Sequence, residues 1–128
     1  MMRVLLADDS DLILERLQQM LGPDPRLEII GKYKNGNETL DALKILKPDL
    51  AIVDIKMPGL SGLEVLHEIR KEDSSVKFII LTFYSSDNYR KLAISSGADY
   101  FLSKVDDFEK IPVVVNEIFD RRSGLVIN

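Results

Sequence analysis

Five short apolar runs, each followed by an amphipathic stretch, set the tightest limit on how this chain can fold. The runs are Val4-Leu5-Leu6-Ala7, Leu27 to Tyr33, Leu50-Ala51-Ile52-Val53, Phe78-Ile79-Ile80-Leu81 and Asp99 to Leu102. They have the length of strands, and several carry no polar residue, so both of their faces must be covered. Between them, apolar residues recur at helical spacing: Ile13, Leu17, Met20 and Leu21, then Leu40, Leu43 and Leu46, then Val65, Leu66 and Ile69. A weaker helix follows with Leu92 and Ala93 inward, and a last one through Val114, Ile118 and Phe119. Punctuation agrees with this division. Gly22-Pro23 stops the first helix, Asn35-Gly36-Asn37 reads as a turn, and Lys47-Pro48 closes the second helix. Ser61 and Glu64 form a capping box, Gly97 caps the fourth helix, and Pro112 fits the first turn of the fifth.

Strands covered on both faces and alternating with helices make a parallel sheet between two helical layers, with right-handed connections. Five such units fit a flavodoxin-like (βα)5 doubly wound sheet with strand order 2-1-3-4-5. The 128 residues amount to one domain, expected over 1–120, with 121–128 as a C-terminal tail or linker stump. A net charge of −4 disfavours direct nucleic-acid binding. With no cysteine, disulfides and thiolate metal sites are excluded and a reducing cytoplasm is permitted. The apolar start, Met1 to Leu6, is too short for a signal peptide or a membrane span.

The polar residues sit where the strands end. Asp8-Asp9 follow the first strand, Asp54 the third, Thr82 the fourth and Ser103-Lys104 the fifth. Open α/β sheets bind ligands outside the carboxyl ends of their strands, at the switch in strand order, which here lies between the first and third. Three carboxylates at one place repel each other unless a cation relieves them. An all-oxygen set without His or Cys points to Mg²⁺ rather than zinc. Lys104 supplies a point charge and Thr82 a hydroxyl for phosphate oxygens, beside a carboxylate able to attack phosphorus. Taken singly, each has a plainer role: Asp8-Asp9 as a helix cap, Asp54 as a turn residue, Lys104 as a surface lysine. His67, the lone histidine, reads as a surface residue.

With these positions in view, the chain resembles the receiver domain of two-component response regulators from about Arg3 to Phe119. The resemblance rests on Val4-Leu5-Leu6-Ala7-Asp8-Asp9-Ser10, on Pro48 through Gly62 around Asp54, on Leu81-Thr82, and on Gly97 through Lys104. It implies that Asp54 is the phosphoacceptor, served by a sensor histidine kinase or phosphotransfer protein in the cytoplasm. It also implies Mg²⁺ held by Asp9 directly, Asp8 through water, Asp54 and the Lys56 backbone carbonyl. Thr82 and Lys104 would hold the phosphoryl oxygens, and Phe101 would be the aromatic that packs inward as the switch is thrown. The face made by the fourth helix, fifth strand and fifth helix would then change, and could serve as a homodimer surface. The domain would be a phosphoacceptor switch rather than an enzyme.

Three positions depart from the family pattern. Val105 stands where proline usually follows the lysine, so a trans bond is expected there. Phe83 replaces a small residue and, with Lys56, is a candidate modulator of access to the phosphoryl group. The switch aromatic Phe101 lacks a hydroxyl and has Tyr100 beside it. The alternative function is a receiver-like interaction module that works without phosphorylation. A small aspartate phosphatase would need Asp-x-Asp and a cap domain, a flavodoxin would need a Ser/Thr-rich phosphate loop, and a nucleotide hydrolase would need Gly-x-x-x-x-Gly-Lys.

Overall fold

A computed structural model describes residues 1–122. It has β1 (Met2–Ala7), α1 (Asp11–Leu21), β2 (Leu27–Tyr33), α2 (Gly36–Leu46), β3 (Leu50–Val53) and α3 (Gly62–Arg70). Then come β4 (Lys77–Thr82), α4 (Asp87–Ser95), β5 (Tyr100–Ser103), a 3-10 turn at Phe108–Lys110, and α5 (Ile111–Arg122). The strand pairings are parallel, as the alternating pattern implies, and the order is the expected β2-β1-β3-β4-β5. Among the described residues, no helix is long and apolar enough to cross a membrane. The last helix takes in Arg121 and Arg122, the first two residues assigned to the tail; 123–128 lie outside the described residues.

Strand alternation sorts the core into two layers. Val4, Leu6, Leu50, Ile52, Ile79, Leu81 and Leu102 face α1 and α5. Leu5, Ala7, Ala51, Val53, Phe78, Ile80 and Phe101 face α2, α3 and α4. The β3 strand is buried along its whole length, while β2, at the sheet edge, buries only its first residue.

Three local readings need correction. Asn35-Gly36-Asn37 is a helix start rather than a free turn: Asn35 Oδ1 accepts the Glu38 N–H at 2.8 Å as the N-cap, and Gly36 opens α2. On α4, Ala93 is fully buried but Leu92 is 51% exposed. The helix turns its alanine to the sheet, which leaves Leu92 on the flank. On α5 the buried positions are Ile111, Val115 and Ile118, so Val114 and Phe119 sit at the margin of the core. The helix starts at Ile111, which turns Val115 rather than Val114 to the sheet.

The capping box of α3 is present in both directions, Ser61 to Glu64 and back. Gly97, at φ +108°, ends α4 as expected. Its N–H donates to Ile94 O at 3.1 Å and that of Ala98 to Ala93 O at 3.0 Å. These paired bonds satisfy the helix-end carbonyls, and the backbone they require suits glycine. The Lys104–Val105 bond is trans.

Candidate phosphoryl-acceptor site

The sheet brings Asp8, Asp9, Asp54, Thr82 and Lys104 to its carboxyl edge. Backbone pairing continues one residue past the strands: Asp8 N–H donates to Tyr33 O at 2.9 Å and Asp54 N–H to Ala7 O at 3.0 Å. Both acids are thereby fixed to the sheet frame. Asp8 Oδ1 accepts the Ser10 N–H at 2.9 Å, and Ser10 in turn caps α1 through the Ile13 N–H. One carboxylate oxygen each from Asp8, Asp9 and Asp54 lies within 4.8 Å of the others.

Lys104 reaches into the middle of this cluster. Its Nζ lies 2.6 Å from Asp8 Oδ2 and 2.8 Å from Asp54 Oδ2. All three side chains are buried, whereas Asp9 is exposed. The second oxygen of Asp54 accepts the Ile55 N–H at 2.7 Å. Burial pushes the Asp8 carboxyl above its usual range, with the neighbouring Asp54 charge adding to it and the Lys104 and Ser10 hydrogen bonds opposing it. Burial alone would pull the Lys104 ammonium down, but its bonds to Asp54 and Asp8 outweigh that and hold it above the ordinary lysine value.

Thr82 is fully buried, and its Oγ1 accepts the Tyr84 N–H at 3.1 Å. The two aromatics after it stand at the rim. Phe83 is 61% exposed, and its ring centroid lies 4.9 Å from Lys104 Nζ. Lys56 turns its side chain outward, with Nζ 5.1 Å from the Tyr84 ring centroid.

The aromatic pair on β5 divides between the two layers. Phe101 is buried, 3% exposed, on the α4 side. Tyr100 packs on the α5 side, where burial and then Glu117 push its phenol up. Sequence reasoning missed two supports. Ser103 Oγ accepts the N–H groups of Val105 and Asp106, while Asp107 Oδ2 accepts the Ser103 N–H at 2.9 Å. This turn builds the loop that lacks proline, and the run Ser-Lys-Val-Asp-Asp was its signal. Arg90 lies over the Phe101 ring, a contact for which nothing local in the sequence gave a sign.

A doubly wound sheet with buried acids at its switch point and an ammonium between them defines the class of CheY-like fold. The family model for the response regulator receiver domain matches residues 4–116, and the chain belongs to that family. It is a receiver domain of two-component signalling. It is 38% identical over 120 residues to a protein-glutamate methylesterase/protein-glutamine glutaminase from Methanospirillum hungatei, covering 92% of this chain and 35% of that one. A LuxR-family DNA-binding response regulator from Staphylococcus aureus superposes with TM-score 0.85 at 28% identity, over 92% of this chain and 98% of the other. A chain of the CheX–CheY–BeF3–Mg²⁺ complex from Borrelia burgdorferi superposes with TM-score 0.84 at 26% identity, over 92% and 89%. The chain spans about a third of the methylesterase and less than two thirds of its other curated relatives.

Proposed function

We propose that Asp54 accepts a phosphoryl group from a phosphohistidine on a sensor histidine kinase or phosphotransfer protein, and that the domain is a switch rather than an enzyme. The observation that supports this most directly is Asp54 itself: a buried carboxylate at the switch point, fixed on both sides, with Lys104 Nζ 2.8 Å away. A carboxylate oxygen of Asp54 attacks phosphorus while the P–N bond to the donor imidazole breaks, and the imidazole leaves with the electron pair. Forming the acyl phosphate removes the charge on Asp54, so the Lys104 ammonium follows the negative charge to the phosphoryl oxygens. The Thr82 hydroxyl donates to another of them. Movement of Thr82 and Lys104 carries the loops after β4 and β5, and the burial of Phe101 couples them to the α4–β5–α5 face.

The donor set fits Mg²⁺. Three carboxylates, all hard oxygen ligands, meet a single ammonium, so the cluster keeps negative charge for a cation to neutralise. Asp9, exposed and unencumbered by Lys104, would bind directly; Asp8, Asp54 and the Lys56 carbonyl would complete the protein's share. The ion would supply charge neutralisation at the transferring group. The relative crystallised with Mg²⁺ and BeF3 supports this choice. The α4–β5–α5 face, with Leu92 and Ile94 exposed on α4, is the proposed homodimer or target surface, in a cytoplasmic setting and without direct nucleic-acid contact. We also propose 1–120 as the receiver domain proper.

Intact-mass spectrometry after incubation with acetyl phosphate and Mg²⁺ tests the central step. One phosphoryl group should be gained, only with Mg²⁺, and Asp54→Ala should gain none. Absence of an adduct from acetyl phosphate and from a panel of kinases would overturn the reading in favour of the phosphate-independent interaction module. Phe83 gives a second expected result. Its ring over the Lys104 ammonium screens the site from water, so Phe83→Ala should lose its phosphoryl group several-fold faster, on the order of the effect of removing one cation–π contact. Phosphate release timed by phosphate-affinity gel electrophoresis reads this, and an unchanged lifetime would refute the screening role.

A further inference from the structure

The fourth helix is held to the sheet unevenly. Its buried side chain is an alanine, Ala93, and the flanking Leu92 and Ile94 are about half exposed. Apart from the half-buried Tyr89, little apolar area binds it down. Its C-terminal end is fastened by other means. The Arg70 guanidinium donates twice to Gly97 O, at 3.0 and 2.9 Å, and once to Asp99 at 3.2 Å. Asp99 in turn accepts the Phe78 N–H at 2.8 Å, so that end is tied to β4.

The N-terminal half of α4 is tied to β5 by Arg90. Its Nη1 donates to Phe101 O at 3.3 Å, and its guanidinium carbon lies 4.9 Å from the centroid of the Phe101 ring. One side chain on the helix thus holds both the backbone and the ring of the buried aromatic, three residues before the phosphate-binding lysine. For the Phe101 ring to leave its seat, the cation must come off its face.

We infer that Arg90 is a latch that keeps Phe101 buried and makes the N-terminal half of α4 move with it, a positioning residue for the switch. The inference rests on the proposed function, in which a phosphoryl group and a buried Phe101 favour one another. Coupling of this kind is reciprocal. A contact that stabilises the buried ring must also strengthen binding at Asp54, although Arg90 touches neither Asp54 nor the phosphoryl group. The cation–π contact and one hydrogen bond at a partly exposed site set the scale at roughly three- to tenfold.

The test uses Mg²⁺ with beryllium fluoride as the phosphoryl mimic, titrated calorimetrically into the native protein, Arg90→Met and Arg90→Lys. A fluorine label on the Phe101 ring is followed by NMR in the same samples. The expected result is affinity about three- to tenfold lower for Arg90→Met, intermediate for Arg90→Lys, with the Phe101 signal moving toward a solvent-exposed position in the same order. Mimic binding by the native protein with neither affinity nor signal altered in Arg90→Met would overturn the latch. A drop in affinity with an unmoved Phe101 signal would overturn it too, because Arg90 would then act by another route. Should the native protein bind no mimic, the proposed function fails separately. The label then decides: a shifted Phe101 signal keeps the latch as a conformational device, and an unshifted one removes it.

Discussion

Replacing Lys104 with methionine should destabilise the domain by about 3 kcal/mol in Mg²⁺-free buffer at neutral pH, because it leaves two buried carboxylates without their counter-ion. Methionine keeps most of the volume, so the loss reports charge rather than a cavity. For a chain of this size that corresponds to a fall in Tm of roughly 10 °C, read by calorimetry. The deficit should shrink as pH falls. Asp8 already stands above its unfolded value, so its proton is held more tightly in the folded state. A group raised in this way adds stability when protonated and loses it as pH rises through the folded value. Loss of the ammonium raises Asp8 further, and mild acid then relieves the variant. Native Lys104 follows the same sign in a far more alkaline window: its contribution is complete below its ordinary 10.5 and disappears only above the still higher folded value. Between pH 7 and 9 the gap between the two proteins should therefore be flat. Mg²⁺ should raise the Tm of the variant more than that of the native protein, since the ion would then answer all three carboxylates without competition from Nζ. A variant as stable as the native protein at pH 7 would mean that the Lys104 bridge contributes nothing net.

The contrast between what could be read along the chain and what could not follows from the range of the interactions. Strands such as Leu50–Val53 are apolar at every position, and each run ends on a polar residue that can only be at the sheet edge. Asp54 and Thr82 were therefore placed by pattern, and the five alternating units fitted the flavodoxin-like strand order. The end of α4 was legible for a similar reason, because Gly97 announces a left-handed backbone that few other residues accept. The inward face of α4 was not. Leu92 outranks Ala93 in hydrophobicity, yet the helix meets the sheet along the smaller residue. The bridge from Lys104 to both Asp8 and Asp54 depends on a side-chain path across the sheet edge, and the seat of Arg90 on Phe101 depends on how α4 lies across β5. Neither geometry has a local signature.

Gly62 offers the sharpest separation of stability from site geometry. It opens α3, and its N–H donates to Ile55 O at 2.8 Å, closing the loop that starts at Asp54. A Cβ on Gly62 would run into the Asp54 carbonyl oxygen and stand 2.8 Å from the carbonyl carbon and 3.2 Å from Ile55 Cα. These are backbone atoms, so no rotamer relieves the clash. Alanine in a helix gains about 1 kcal/mol over glycine; overpacking against a fixed backbone costs up to about 3 kcal/mol. Gly62→Ala should therefore be destabilised by about 2 kcal/mol. The strain also falls on Asp54, which is held from the other side by its bond to Ala7 and by Lys104. Phosphoryl uptake from acetyl phosphate should drop at least about tenfold in the folded protein, since an ångström of misplacement at a reacting group can cost about a hundredfold. Gly36→Ala is the matched control. Its Cβ would collide with the Leu60 carbonyl in the same way, but Leu60 is not part of the acid cluster. The two variants should lose similar stability in denaturant titrations, while only Gly62→Ala loses phosphoryl uptake in proportion to its strain on Asp54. Equal uptake by both would place Asp54 beyond the reach of the α3 terminus, and the loop from Asp54 to Gly62 would then be a spacer rather than the wall that holds the acceptor.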